Sequence, residues 1–136
     1  MRITADTNVL LRAILQDDDG QTAAAEALLA NATTIAVPVP VFCEISWVLR
    51  RSFHQAPTEI AAAIQAICAI ETVVTDAPAV EAGVEALLAD GDFADGAIAQ
   101  QGERFGATVF ATFDRKAAAN LREAGLAAAD PAELVE

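Results

Sequence analysis

Two short apolar segments each run straight into an aspartate: Ile3-Thr4-Ala5 into Asp6, and Thr108 to Phe113 into Asp114. Between them, Glu44 and Asp95 each stand near the start of a helix-like pattern. In a parallel α/β sheet, ligand and catalytic groups gather just beyond the carboxyl ends of the strands. Four carboxylates gathered there repel, since two unit charges about 4 Å apart cost on the order of 4 kcal/mol at an effective dielectric near 20. Such a cluster persists only when protonated or neutralised, and the simplest neutraliser is a divalent cation with oxygen ligands. The residue types therefore point to a site for magnesium or manganese.

Each carboxylate also has a plainer use. Asp6-Thr7-Asn8 is a good helix cap, because all three residue types satisfy free amides at a helix start. Asp92 and Asp95 stand three apart, the spacing of a cap with an acidic partner one turn on. Asp92 reads as the cap and Asp95 as the ligand, because Ile98 and Ala99 on the next turn are apolar and suited to face a sheet. Glu44, flanked by Phe42, Cys43 and Ile45, fits either a solvent border or a place across the strand ends from Asp6. Arg51 follows it nearly two turns along the same face. Asp114 fits a cap for the last long helix, or a fourth ligand with Arg115 or Lys116 steering a phosphate backbone.

The elements that must position these groups alternate. Strands are expected at Arg2 to Asp6, Thr34 to Val37, Glu71 to Thr75 and Thr108 to Phe113, with a weak edge strand at Ala127 to Ala129. Helices are expected at Thr7 to Leu15, Gln21 to Ala30, from Pro40 through Arg51, Glu59 to Ala69, Pro78 to Leu88, Phe93 to Phe105 and Arg115 to Ala124. Pro40 suits the first turn of its helix and Thr58 reads as an N-cap. Short connections between strands and helices predict an α/β fold: a mainly parallel central sheet of four or five strands with helices on both faces.

At 136 residues the chain is read as one domain, residues 1–136, able to bury about two-thirds of its unfolded surface. It is 54% hydrophobic, yet holds only six Phe, one Trp and no Tyr, so alanine and the aliphatic residues must supply the packing. Its apolar runs are too short for a membrane span, and the early Asp6 argues against an export signal. Cys43 and Cys68 have no metal-like or disulfide-like spacing and read as buried, reduced thiols of a cytoplasmic protein. His54, the one histidine, reads as exposed. Twenty acidic residues against eight basic ones give a net charge of −12. That discourages non-specific adhesion to nucleic acid or an anionic membrane and favours a basic partner.

Four segments in order resemble the motifs of PIN-domain proteins and, more narrowly, of VapC toxins of toxin–antitoxin modules. They are Asp6-Thr7-Asn8-Val9-Leu10-Leu11, Glu44-Ile45-Ser46-Trp47-Val48-Leu49, Asp92-Phe93-Ala94-Asp95 and Thr112-Phe113-Asp114-Arg115. The resemblance covers nearly the whole chain. Gly96 departs from it, since alanine is usual after the third acidic residue, and this weakens the helix start slightly. The resemblance implies a three-layer α/β/α PIN-like fold and a Mg2+- or Mn2+-dependent endoribonuclease. It implies Asp6, Glu44, Asp95 and Asp114 as catalytic metal ligands, with Asp92 beside them. Thr7, Asn8 and Thr112 would orient carboxylates or the attacking water, and Arg51, Arg115 and Lys116 would meet the RNA. It also implies a cognate VapB-like antitoxin and a homodimer, with apolar faces on the helices after Gly20 and Pro40 as a docking surface.

Other readings fit less well. A haloacid-dehalogenase-type phosphatase needs an aspartate where Asn8 stands, and a receiver domain needs acids that Glu71 and Asp76 do not supply. A catalytically silent PIN-like binding module is disfavoured because all four ligand positions are acidic. A PIN-like nuclease acting on DNA is disfavoured because the short chain leaves little room for insertions.

Overall fold

The protein is described by a computed structural model over residues 1–135. The chain divides into two units, Met1–Asp76 and the residues from Ala77 onward.

Unit 1 begins with β1 (Arg2–Thr4) and α1 (Thr7–Leu15), then α2 (Asp19–Asn31), β2 (Thr34–Ala36), α3 (Val39–Arg51), α4 (Pro57–Cys68) and β3 (Val73–Val74). Its strands lie in the order β1-β2-β3, all parallel, with Ile3 opposite Ile35 and Ile35 opposite Val73. Parallel neighbours require crossover helices, and the apolar spacing supplies them. In α3, Phe42, Ile45, Ser46 and Leu49 are buried, the i, i+3, i+4, i+7 stripe of a core-facing helix. In α4, Ile60, Ile64 and Ile67 do the same. Each such aliphatic side chain contributes roughly 1.5–3 kcal/mol by leaving water.

The start of α4 corrects one expectation. Its cap is Ala56, Pro57 takes the first helical position, and Thr58 lies inside the first turn. Proline has no amide to satisfy and a backbone angle already suited to that position. Glu59 Oε1 then reaches back to accept the Ala56 amide at 3.2 Å.

Unit 2 contains α5 (Ala77–Leu88), α6 (Phe93–Arg104), β4 (Phe110–Ala111), α7 (Arg115–Glu123), β5 (Ala128–Ala129) and α8 (Pro131–Leu134). The edge strand does form: β4 and β5 pair in parallel, Phe110 opposite Ala128. The five strands are thus hydrogen-bonded as a set of three and a set of two. The strand expected from Thr108 is only two residues long. Gly106, at φ 101°, and the Ala107 amide bonded to the Gly102 carbonyl at 2.9 Å hold the preceding residues in the helix-ending turn. Likewise, the Val73 amide donates to Ile70 at 3.0 Å, keeping 70–72 in a turn and shortening β3. Ala86, Ala118, Leu121 and Ala128 form a buried cluster with Phe110 and Leu126 packed on it.

Two glycines set the α5–α6 contact. A Cβ on Gly83 would stand 2.5 Å from the Phe93 ring, and one on Gly96 would stand 2.5 Å from the Ala82 carbonyl and 2.6 Å from Ala86 Cβ. Gly96 is therefore a close-approach residue, and its lower helix propensity is the smaller effect. Gly96→Ala gains about 1 kcal/mol of propensity and loses more than it gains by overpacking against backbone. The expected net loss is about 1–3 kcal/mol, read as a melting temperature several degrees lower by circular dichroism. A raised melting temperature would show that the two helices separate freely.

Candidate active site

In unit 1 the candidate groups lie where β1 turns into α1. The Ala5 amide bonds the Ala36 carbonyl at 3.0 Å, so the sheet pattern runs up to Asp6. Asp6 is the N-cap of α1, and its Oδ1 accepts the Thr7 amide at 2.8 Å. Thr7 is buried and its hydroxyl donates to Glu44 Oε2 at 3.1 Å. That bond spans 37 residues and brings the first and second motifs together. Asn8 and Glu44 are exposed.

In unit 2 the candidates also sit at helix starts. Asp92 caps α6, its Oδ1 accepting the Ala94 amide at 2.8 Å, as expected. Asp114 caps α7 through the Ala117 amide at 3.0 Å, and its own amide donates to Thr112 Oγ1 at 3.1 Å. A cap and a ligand are compatible roles, because each cap uses Oδ1 and leaves Oδ2 outside the bond. Asp95 lies in the first turn of α6 and is half-buried. Burial raises its carboxyl above the ordinary carboxylate range, and the charges of Asp92 and Asp114 push it the same way. The helix start favours an anion, but here desolvation and two like charges outweigh it.

The basic candidates divide. Arg51 stacks over Trp47, its guanidinium carbon 5.6 Å from the ring centroid, so part of its surface is already used. Arg115 and Lys116 are exposed on the first turn of α7. Arg122 carries no motif, yet it lines the same cavity as Arg115. Its only sequence signal is the seven-residue spacing that puts both on one helix face. His54 is exposed, as expected, in the loop after α3. Cys43 and Cys68 form no disulfide, but both are half-buried rather than buried, since each sits at the border of its helix's apolar stripe.

Of the two helices expected to offer apolar faces, α2 contributes Leu29 to a groove of about 310 Å3 with Leu10, Ile14, Ala63 and Ile67. Helix α3 differs. It turns Phe42, Ile45 and Leu49 inward and exposes Trp47.

A PIN domain family model matches residues 3–123. The chain belongs to the PIN domain family. No curated protein matches it. PIN domains are generally nucleases acting on nucleic acid, and they typically use divalent metal ions. No helix of this PIN domain is long and apolar enough to cross a membrane among the described residues.

The donor set suits such an ion: hard carboxylate oxygens without histidine or cysteine. In unit 2 the repulsion felt by Asp95 is also the kind a cation relieves. Among the described residues, no group of three or more His, Cys, Asp or Glu side chains is drawn together as a ready-made cage. Asp6, Asp92 and Asp114 are each held by an amide of their own helix start.

The raised Asp95 carboxyl makes a sign-definite prediction. The folded protein holds that proton more tightly than the unfolded chain, so ionising Asp95 lowers stability as pH rises through its folded range. In EDTA at pH 7, Asp95→Asn should melt higher than the wild type by circular dichroism. The gain should vanish as pH falls to the ordinary carboxylate range. A variant melting lower at pH 7 would contradict the burial of Asp95 and its repulsion by Asp92 and Asp114.

Proposed function

We propose that this PIN domain is a Mg2+- or Mn2+-dependent endoribonuclease, the toxin of a VapBC-type toxin–antitoxin pair, restrained by a cognate basic antitoxin. The carrying observation is that a PIN match over residues 3–123 includes an acidic residue at each of four motif positions. We take the two units as a single PIN domain, since the match runs through both. Asp6, Glu44, Asp95 and Asp114 are the proposed metal ligands, and Asp92 is an added anion three positions before Asp95. When bound, a divalent ion supplies a water of lowered pKa and charge neutralisation at the scissile phosphate and leaving oxygen.

The chain's own residues prepare for that chemistry. The Thr7 hydroxyl holds Glu44 Oε2 and sets the direction of that carboxylate. Thr112 Oγ1 does comparable work for the Asp114 backbone. Asn8, exposed next to Asp6, is the proposed polar partner of substrate or water. Arg115 and Lys116, and Arg51 with what Trp47 leaves of it, are the proposed cations for the RNA backbone. RNA is the proposed substrate on the resemblance of the four motifs to those of VapC toxins.

A net charge of −12 supports a basic antitoxin. The apolar groove of unit 1 is the proposed seat for an amphipathic segment of it. A homodimer and a cytoplasmic location complete the reading.

Cleavage of a short single-stranded RNA, followed on denaturing gels, tests the assignment. Mg2+ or Mn2+ should be required, and Asp6→Asn or Asp95→Asn should each lower the rate at least a hundredfold with circular dichroism unchanged. Undiminished cleavage by Asp95→Asn would remove that residue from the ligand set. Mn2+ should also raise the melting temperature by mass action, about 2.7 kcal/mol of stabilisation at a hundredfold excess over the dissociation constant. Asp6→Asn should blunt the rise, and an equal rise in both proteins would count against the site.

A further inference from the structure

Beyond the carboxyl ends of β4 and β5, unit 2 holds a cavity of about 440 Å3. Its walls include Thr112 after β4, Arg115 and Arg122 of α7, and Asp130 and Glu133 around the start of α8. Arg115, Ala118 and Arg122 stand at i, i+3 and i+7, so one face of α7 lines the space. Arg122 Nε donates to the Ala128 carbonyl at 2.8 Å, which fixes the side chain and leaves both Nη groups outside that bond. Among the described residues, neither Arg115 nor Arg122 is ion-paired, whereas Arg12 pairs with Asp17. The cavity also carries two acids: Asp130, whose Oδ1 accepts the Ala132 amide at 2.8 Å, and the exposed Glu133.

Two further observations give this cavity a direction. Of the chain's eight lysines and arginines, three (Arg115, Lys116 and Arg122) lie on α7, although net charge is −12. A polyanion approaching so acidic a protein needs local cations of this kind. Phe113, between Thr112 and Asp114, is 80% exposed. Phe113 does not line the cavity itself, but it follows the lining residue Thr112 and precedes Arg115 by two positions. Exposed rings and arginines are the composition of single-stranded nucleic-acid sites, where bases stack and phosphates pair with arginine.

We propose that Phe113 is a stacking platform for an unpaired base and that Arg115 and Arg122 hold a backbone phosphate in this cavity. Together they position the nucleotide that flanks the bond to be cut. The inference rests on the ribonuclease reading and adds to it the residues that favour unpaired RNA. A protein contact through Phe113 alone would leave both arginines without a role.

The test is binding of a short fluorescein-labelled single-stranded RNA in EDTA, followed by anisotropy over a salt series. Phe113→Ala should weaken binding about tenfold with the salt slope unchanged, and Phe113→Trp should restore it. Arg115→Gln and Arg122→Gln should each reduce the slope of log K against log salt by about 0.7. Among the described residues the Arg115 side chain makes no hydrogen bond or ion pair, so its variant reads out even if Arg122→Gln disturbs β5. Arg2→Gln, which removes the same charge in unit 1, should behave as the wild type. If the wild type cuts RNA while Phe113→Ala and Arg115→Gln bind it undiminished, this inference is overturned and the nuclease reading stands. If the wild type neither binds nor cuts RNA, both fall. If Phe113→Ala alters only the oligomeric mass on size exclusion, the ring is a contact between chains and the inference is overturned.

Discussion

A helix begins with amides that have no partner inside it, and in this chain the residues that answer them are mostly aspartates. Asp6, Asp92 and Asp114 each give one oxygen to an amide at the start of α1, α6 and α7. The same bond that starts the helix aims a negative charge along the end of a strand or turn. Because a cap engages one oxygen of two, the carboxylate is held in direction without being neutralised. Local folding and the placing of anionic charge are thus one constraint here.

Packing then decides which of those charges becomes costly. In unit 2, Gly96 lets the first turn of α6 settle onto Ala82 and Ala86, and Asp95 lies in that turn. A chain poor in aromatic residues uses small side chains to bring elements together. The exception proves informative: Phe93 is fully buried over Gly83, whereas Phe113 is left in water.

Much of the fold was legible because its signals are local. The α1 span of Thr7–Leu15 follows from apolar spacing and an aspartate cap, and both lie within the segment itself. The alternation of strands and helices likewise gave the α/β class. Strand lengths were less legible, since they depend on where a ladder finds partners. Turn bonds after α4 and α6 cut the expected strands short. Thr58 misled because its capping chemistry is sound, yet Pro57 is better suited to the first helical position.

For the candidate site, the residue types and the capping role of Asp92 were written in the sequence, because caps act over two or three residues. The bond from Thr7 to Glu44 was not, since it joins side chains 37 positions apart that only packing brings within reach. The raised Asp95 carboxyl was likewise decided by packing, and so was the cavity that the one face of α7 bearing Arg115 and Arg122 comes to line. Sequence alone determined the charge, the family motifs and the aspartate caps of α1 and α6, which follow from covalent neighbours. Tertiary structure decided which charges are desolvated and which cations remain unpaired, because burial and pairing depend on elements far apart in the chain.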